Sequence, residues 1–263
     1  MGSILEARDL RFEYLRDHPV LTNIDFKLFA GKNLGIVGES GSGKSTLLRL
    51  ILAFHRPTSG EILYDGQDLS DFDNKQLRDF RTKVQVIFQD PYSSLDPRQR
   101  IDRLIAEPLT SLGLASANGG PTRVTRRHWV QDQVENAVRS VGLSPDLLKR
   151  YPSEFSGGER QRIAIARAIV CHPKVLLADE PVSALDVTTR MQIIDLLKEL
   201  QETQGQTIIM VSHDLAVVAA LCDETIVLEK GKIVEYGETS TVLGNHSHPY
   251  TRKLIESLPR LPR

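Results

Sequence analysis

Apolar and polar residues alternate with a period of two over residues 4–15, ILEARDLRFEYL, which predicts a strand with one buried face. Residues 20–38, VLTNIDFKLFAGKNLGIVG, read as two further strands joined by a glycine turn, and residues 44–54, KSTLLRLILAF, carry a helical period. A short hairpin is predicted at 60–69 (GEILYDGQDL) and a strand at 83–90 (KVQVIFQD). The pattern changes at about residue 91, where loops rich in Pro, Asn and Gly alternate with helical stretches such as RRHWVQDQVENAVRSVGL, and it changes back near 158. Beyond that point come a helix closed by Pro173 (RQRIAIARAIVCHP), an apolar strand (KVLLADEP) and a helix (TRMQIIDLLKELQETQG). A strand (QTIIMVSHD), a helix (LAVVAALC) and a closing hairpin (ETIVLEKGKIVEYG) follow. Strands separated by helices of ten or more residues imply an α/β fold with a mainly parallel sheet and crossover helices. Residues 91–158 interrupt that order as an inserted helical subdomain, with residues 115–125 its most flexible loop. There is no internal repeat.

Composition narrows the class without naming a chemistry. The chain has 263 residues, 40% hydrophobic and 25% charged, with a formal net charge of −1. That is ordinary for a soluble globular protein and gives no global basic field for nucleic acid or anionic lipid. Cys171 and Cys222 lie far apart in apolar runs and read as two buried thiols in a reducing compartment. No apolar run reaches the roughly 18 residues a membrane span needs, and the N-terminus lacks a signal pattern. The expectation is an intracellular chain, soluble by itself, that docks on something in a membrane.

Residues 38–45 fit G-x-x-x-x-G-K-S between an apolar strand and a helix, the context this phosphate-binding pattern requires. Gly38, Gly41 and Gly43 let backbone N–H groups converge on phosphate oxygens, Lys44 adds a point charge, and Ser45 is a ligand for Mg²⁺. The helix N-terminus contributes its partial positive charge. Asp179 and Glu180 end the apolar strand at 175–178, where α/β sheets bind ligands. Asp179 is a second Mg²⁺ ligand candidate and Glu180 a base for an attacking water. An isolated Asp-Glu pair would instead be read as solvated loop acids. His213 and Gln89 also stand at strand ends, so four strand ends carry polar or phosphate-binding groups, as one site at the sheet's C-terminal edge would produce.

The stretch FSGGERQR, residues 155–162, has two readings. Ser156 and Glu159 form a capping box, which needs no ligand. Gly157 and Gly158, however, are poor residues for a first helical turn and suit close approach of an anion.

Taken together these motifs resemble the ATP-binding subunits of ABC transporters over nearly the whole chain. GESGSGKST is similar to that family's Walker A loop, VLLADE to its Walker B strand, FSGGERQR to its signature loop, and SALD, residues 183–186, to its D-loop. Gln89 resembles the Q-loop glutamine, His213 the switch histidine, and Tyr14 the aromatic that stacks on adenine. The resemblance implies a P-loop NTPase core with an N-terminal antiparallel β-subdomain and an inserted helical subdomain. The core would comprise 1–90 and 159–235, the helical subdomain with the signature loop 91–158, and the tail 236–263.

It implies ATP and Mg²⁺ as cofactors. Tyr14, Gly38, Ser40, Gly41, Gly43, Lys44, Ser45, Thr46, Gln89, Ser156, Gly157, Gly158, Glu159 and Asp186 would bind nucleotide, and Ser45, Gln89 and Asp179 the metal. Glu180, His213 and Lys44 would be catalytic. Two cassettes would pair head to tail, each ATP lying between one chain's Walker A loop and the other's signature loop, and closure on ATP would drive permease subunits in the membrane. The chain departs from the pattern at Phe155, where the family has Leu, and at Glu159, where it has Gln. Phe155 reads as a packing substitution; Glu159 puts a carboxylate near the nucleotide unless the capping box engages it.

FQDPYSSLDPR, ADEPVSALDV and the tail HPYTRKLIESLP, with His248, Pro249, Tyr250 and Thr251, resemble the dipeptide, oligopeptide and nickel uptake group. The tail can also be read as a plain helix start with proline in its first turn. The implied function is ATP-driven uptake of peptides or related small solutes, fed by a separate solute-binding protein. The alternatives are an exporter, an importer of another solute, or a soluble ABC ATPase acting on DNA or ribosomes. The last would call for a coiled-coil insertion, a tandem cassette or basic patches, none of which occurs. A P-loop kinase would need neither SGGE nor SALD.

Overall fold

The computed structural model describes residues 2–245 and 247–256. In chain order its elements are β1 (Ser3–Leu15), β2 (His18–Phe29), β3 (Leu34–Val37), α1 (Lys44–Ile51), β4 (Ser59–Tyr64) and β5 (Gln67–Asp68). Next come α2 (Asn74–Lys83), β6 (Val84–Ile87), α3 (Pro91–Ser94), α4 (Ile101–Ser111), α5 (Leu114–Asn118), α6 (Arg123–Ser140) and α7 (Gly157–Ile169). The described residues end with β7 (Val175–Asp179), α8 (Val187–Gln204), β8 (Thr207–Val211), α9 (Leu215–Leu221), β9 (Glu224–Glu229), β10 (Lys232–Glu238), α10 (Thr239–Gly244) and α11 (Pro249–Glu256). The described residues form two compact units: 2–73 with those from 207 onward, and 74–206.

The first unit holds two sheets. One is antiparallel in the order β2-β1-β4-β5. Leu5, Ala7, Leu10 and Phe12 of β1 are buried, with a register break between Ala7 and Leu10 that shifts the period. At that break Asp9 takes a left-handed φ of 44°, and its N–H donates to Asp25 Oδ1 at 2.8 Å. In the other sheet the order is β10-β9-β3-β8. There β3 runs parallel to both β8 and β9, and β10 closes antiparallel on β9. Leu34, Ile36 and Val37 of β3 and Ile208, Ile209, Met210 and Val211 of β8 are all within 1% of full burial. Strands covered on both faces read as continuous apolar runs rather than as alternation.

Asn33 stitches this sheet from inside. It is fully buried; its Oδ1 accepts Ile208 N–H at 2.8 Å and its Nδ2 donates to the Leu221 carbonyl at 2.8 Å. Its own N–H donates to Asp223 Oδ2 at 2.7 Å. One amide side chain thereby satisfies backbone groups from the start of β8 and the end of α9.

In the second unit β6 lies parallel to β7, with Val84 opposite Val175 and Ile87 opposite Ala178, among helices α2 to α8. Helix α7 packs on α4, α6 and α8 through a face of small and branched residues, including Ile163, Ala164, Ile165, Ala166 and Ile169. Phe155, just before it, is also buried, as a packing substitution should be.

Two sequence expectations are corrected here. Residues 115–125 are not one loop: Leu114–Asn118 make the short helix α5, and α6 begins at Arg123. Gly113 enters α5 at φ 77°, and Thr122 caps α6 by accepting the Thr125 N–H at 3.1 Å. Of the residues that suggested a loop, Ala115, Ser116 and Asn118 lie within α5, and Gly119, Gly120 and Pro121 fall between the two helices. Residues 74–83 carried no assigned element and form α2, whose polar sequence buries only Phe80 and Thr82.

Each unit keeps one free, buried thiol. Burial pushes Cys171 up to about 12 and raises Cys222 still further, with the Asp223 carboxylate adding to it. Among the described residues no helix is long and apolar enough to cross a membrane.

Candidate functional site

The phosphate loop leaves β3 and enters α1 in the first unit. At Gly38, φ is 157° and a Cβ would stand 2.2 Å from the Leu228 carbonyl oxygen, so no side chain fits. Gly43 precedes α1 at φ 108°, a conformation that favours glycine. Lys44 is buried, and its ammonium donates to the carbonyls of Gly38 at 2.7 Å and Glu39 at 2.9 Å. Ser45 is exposed on the first turn of α1, while Thr46 faces inward. The loop is anchored at its far side by the Gly231 N–H, which donates to the Ser42 carbonyl at 2.9 Å.

Tyr14 stands half-exposed beside this loop. Its hydroxyl lies 3.4 Å from Thr46 Oγ1 and accepts from Arg49 Nη1 at 3.4 Å. Contact with Thr46, then Arg49, lowers its pKa from the ordinary phenol value. Its ring meets Phe12 edge-on at 4.8 Å and His55 at 5.6 Å, and those two rings stack on one another. Held from several sides, an exposed ring is prepared to receive a flat partner at little entropic cost. Sequence reasoning found Tyr14 but missed Phe12, Arg49 and His55; the aromatic at two residues before Tyr14 on the strand was the available signal.

His213 follows β8, the strand paired with β3 through Ile36 and Val211. Gly38 and His213 each stand two residues beyond that last pair, so parallel pairing brings both to the same edge of this sheet. Asp214 caps α9 by accepting the Ala216 N–H at 3.0 Å, leaving His213 exposed in the turn.

The second unit gathers another group. Gln89 and Glu180 follow the paired strands β6 and β7, and Gln89 Nε2 donates to Glu180 Oε2 at 3.0 Å. Glu180 has φ 46°, a left-handed conformation uncommon for a residue with a Cβ, which Asp9 at the β1 bulge also adopts. Its carbonyl receives the Ser183 N–H at 3.2 Å and Ser183 hydroxyl at 3.1 Å, which fixes the turn. Asp186 caps α8 through the Thr189 N–H at 3.0 Å, and the Thr189 hydroxyl and N–H hold its carboxyl below the usual range.

At the start of α7 the capping box is formed. Ser156 Oγ accepts the Glu159 N–H at 3.3 Å, and Glu159 Oε2 accepts from the Ser156 N–H and hydroxyl, each at 2.8 Å. The carboxylate that departs from the family pattern is thus held by the cap. Gly158 has its own packing reason: a Cβ there would meet Thr189 Cγ2 of α8 at 2.5 Å, whereas at Gly157 the nearest atom is 3.7 Å away. Arg160, two residues on, lies over the Tyr92 ring at 4.1 Å and donates to the Pro152 carbonyl at 2.7 Å.

Those same Ser156 bonds lower the Glu159 pKa. A depressed carboxylate contributes stability that is complete above its unfolded value and is lost as pH falls through the folded one. Glu159→Gln removes that contribution. The stability gap between wild type and Glu159→Gln, measured by urea denaturation, should therefore be widest at neutral pH and close below about pH 4.

Residues 21–183 match the family model for the ABC transporter domain, and residues 234–263 match that for the oligopeptide/dipeptide transporter C-terminal region. The oligopeptide transport ATP-binding protein OppF of Haemophilus influenzae is 44% identical over 241 residues, covering 90% of this chain and 69% of that protein. The di/tripeptide transport ATP-binding protein DppF of Pseudomonas aeruginosa is 42% identical over 270 residues, covering 99% of this chain and 80% of that one. Among solved structures, the ATP-binding cassette MJ0796, a dimer bound to ADP and Pi in a post-hydrolysis state, superposes with a TM-score of 0.74. It is 29% identical, over 89% of this chain and 98% of that one.

The chain belongs to the ABC transporter family and has the fold of its ATPase cassettes. It is the ATP-hydrolysing subunit of an ABC importer.

Proposed function

We propose that this subunit powers the uptake of peptides or closely related small solutes. The observation that carries the reading is the pairing of an ABC transporter domain over residues 21–183 with a C-terminal region matching the oligopeptide/dipeptide group. Relatives named for oligopeptide and di/tripeptide transport, across most of this chain, support it. Its partners are a second cassette, permease subunits and, through them, a solute-binding protein, which places the chain at the cytoplasmic face of the membrane. Nucleic acid is not among them. The division into core, helical insertion and tail belongs to the same proposal.

The residue roles follow from chemistry. Gly38, Ser40, Gly41, Gly43, Ser45 and Thr46 hold the phosphates by backbone N–H and hydroxyl groups, Lys44 neutralises their charge, and Tyr14 stacks on adenine. Glu180, aimed by Gln89, orients and deprotonates the attacking water, and His213 contacts the γ-phosphate. Ser156, Gly157, Gly158 and Glu159 offer a helix N-terminus to the nucleotide of the partner cassette, and Asp186 relays across that interface. Ser45, Gln89 and Asp179 are the proposed Mg²⁺ ligands. They fit it: all three offer the hard oxygen donors that Mg²⁺ takes. Bound by these residues, the ion would supply positive charge against the phosphoryl oxygens.

Removing the chain from its host should abolish ATP-dependent uptake of radiolabelled di- and oligopeptides, with restoration by the wild-type chain and none by Lys44→Ala. Unchanged peptide uptake, with loss of uptake of an unrelated solute, would refute the peptide assignment.

A further inference from the structure

The tail motif at 248–251 is left without a task by the reading above, in which a terminal helix merely begins there. Pro249 is the first residue of α11, and His248 Nδ1 accepts the Tyr250 N–H at 3.2 Å, closing the first turn. Tyr250 itself is buried, 8% exposed, and its hydroxyl reaches across 211 positions of sequence to accept the backbone N–H of Glu39 at 2.9 Å. Burial raises the Tyr250 pKa, so the hydroxyl stays neutral at physiological pH.

That N–H belongs to the peptide unit joining Gly38 and Glu39, inside the phosphate loop. The carbonyl of the same unit is Gly38 O, which receives the Lys44 ammonium at 2.7 Å. A trans peptide is planar, with its N–H and C=O pointing in opposite directions. Tyr250 therefore holds one edge of a rigid plane and Lys44 the other. Rotating the plane to release Tyr250 would also turn Gly38 O away from the lysine. Gly38, with no room for a Cβ and φ at 157°, gives the plane little resistance of its own. An outside anchor matters most at such a position.

We propose that Tyr250 is a positioning residue for the phosphate loop. Its hydroxyl fixes the orientation of the Gly38–Glu39 peptide plane and, through Gly38 O, the resting place of Lys44. The tail thereby pre-organises the loop for ATP, and its loss weakens nucleotide binding more than it slows the chemical step. This rests on the reading of residues 38–46 as the ATP phosphate site. The Lys253–Glu39 ion pair at 3.5 Å joins the same two segments, but both side chains are exposed and such a pair contributes little.

The test compares Tyr250→Phe, which deletes the hydroxyl and keeps the buried ring, with Tyr236→Phe. Tyr236 donates to the Lys27 carbonyl at 3.2 Å, away from the phosphate loop, and serves as the control for losing a tyrosine hydroxyl bond. Lys44→Ala is the reference for the loop itself. ATP affinity is read by calorimetry, and KM and kcat by phosphate release. Tyr250→Phe should weaken ATP binding and raise KM by roughly two- to tenfold, the worth of one hydrogen bond, with kcat within about twofold. Tyr236→Phe should leave KM unchanged.

If Lys44→Ala loses ATP while Tyr250→Phe binds it like wild type, the positioning role is overturned and the phosphate-loop reading survives. Should Lys44→Ala bind ATP normally, both are overturned. A measurement on the unmutated chain guards against a variant that folds poorly. The Glu39 amide should be protected from hydrogen exchange without nucleotide, and exchange there at the rate of an open loop would also overturn the proposal.

Discussion

Replacing Glu180 by Gln should lower the steady-state rate of ATP hydrolysis by about 10²- to 10⁴-fold, the range a general base contributes. The substitution keeps the shape of the side chain and an oxygen able to accept the Gln89 amide bond, now at 3.0 Å. Only the capacity to take a proton is lost, so ATP should remain bound. With hydrolysis blocked and ATP present, the proposed role of the signature loop, contact with nucleotide in the closed pair alone, requires the chain to convert from monomer to dimer. Phosphate release at steady state, with ATP in excess, tests the first part and mass by light scattering, with and without ATP, the second. A variant that hydrolyses ATP within tenfold of wild type would remove Glu180 from the catalytic role. One that binds ATP and stays monomeric would mean that closure needs a different cassette or the permease.

The largest effect on stability is expected far from the nucleotide, at Asn33. Asn33→Leu is close in volume but leaves the Ile208 N–H and the Leu221 carbonyl, both now paired at 2.8 Å, with no partner inside the first unit's sheet. Each buried backbone group left unpaired costs about 1–3 kcal/mol, so the two together should cost about 2–6 kcal/mol. The full burial of Asn33 leaves water little means of repairing the loss. Urea denaturation followed by circular dichroism measures it. A loss below about 0.5 kcal/mol, the ordinary range of a surface change, would show that the amide is dispensable.

What the sequence disclosed was mostly what is local. The phosphate loop is contiguous, and its glycines, lysine and flanking strand and helix are read in one window. The Ser156–Glu159 capping box was legible for the same reason, since both partners lie within one helical turn. Long-range geometry was not. That Gln89 donates to Glu180 could be guessed only as a shared sheet edge, because 91 positions separate them. The left-handed backbone of Glu180 has no signal in its residue type, for glutamate rarely adopts it. Tyr250 was visible as part of a motif, but nothing in the spacing pointed to Glu39. Helix α2 escaped because its polar face leaves few buried positions to mark a period, and α5 because it is too short to have one.

The buried thiols bear on how the motions of this subunit can be watched. A thiol reacts with a maleimide or iodoacetamide as its thiolate, and burial has pushed Cys171 to about 12 and Cys222 beyond it. Both native cysteines are buried and should react far more slowly than an exposed one at neutral pH, so the wild-type chain should serve as its own background. A cysteine introduced at Val187 or Met191, 74% and 48% exposed on the first turns of α8, would take a fluorophore or spin label alone. The core need not be disturbed by first removing the cysteines it already contains.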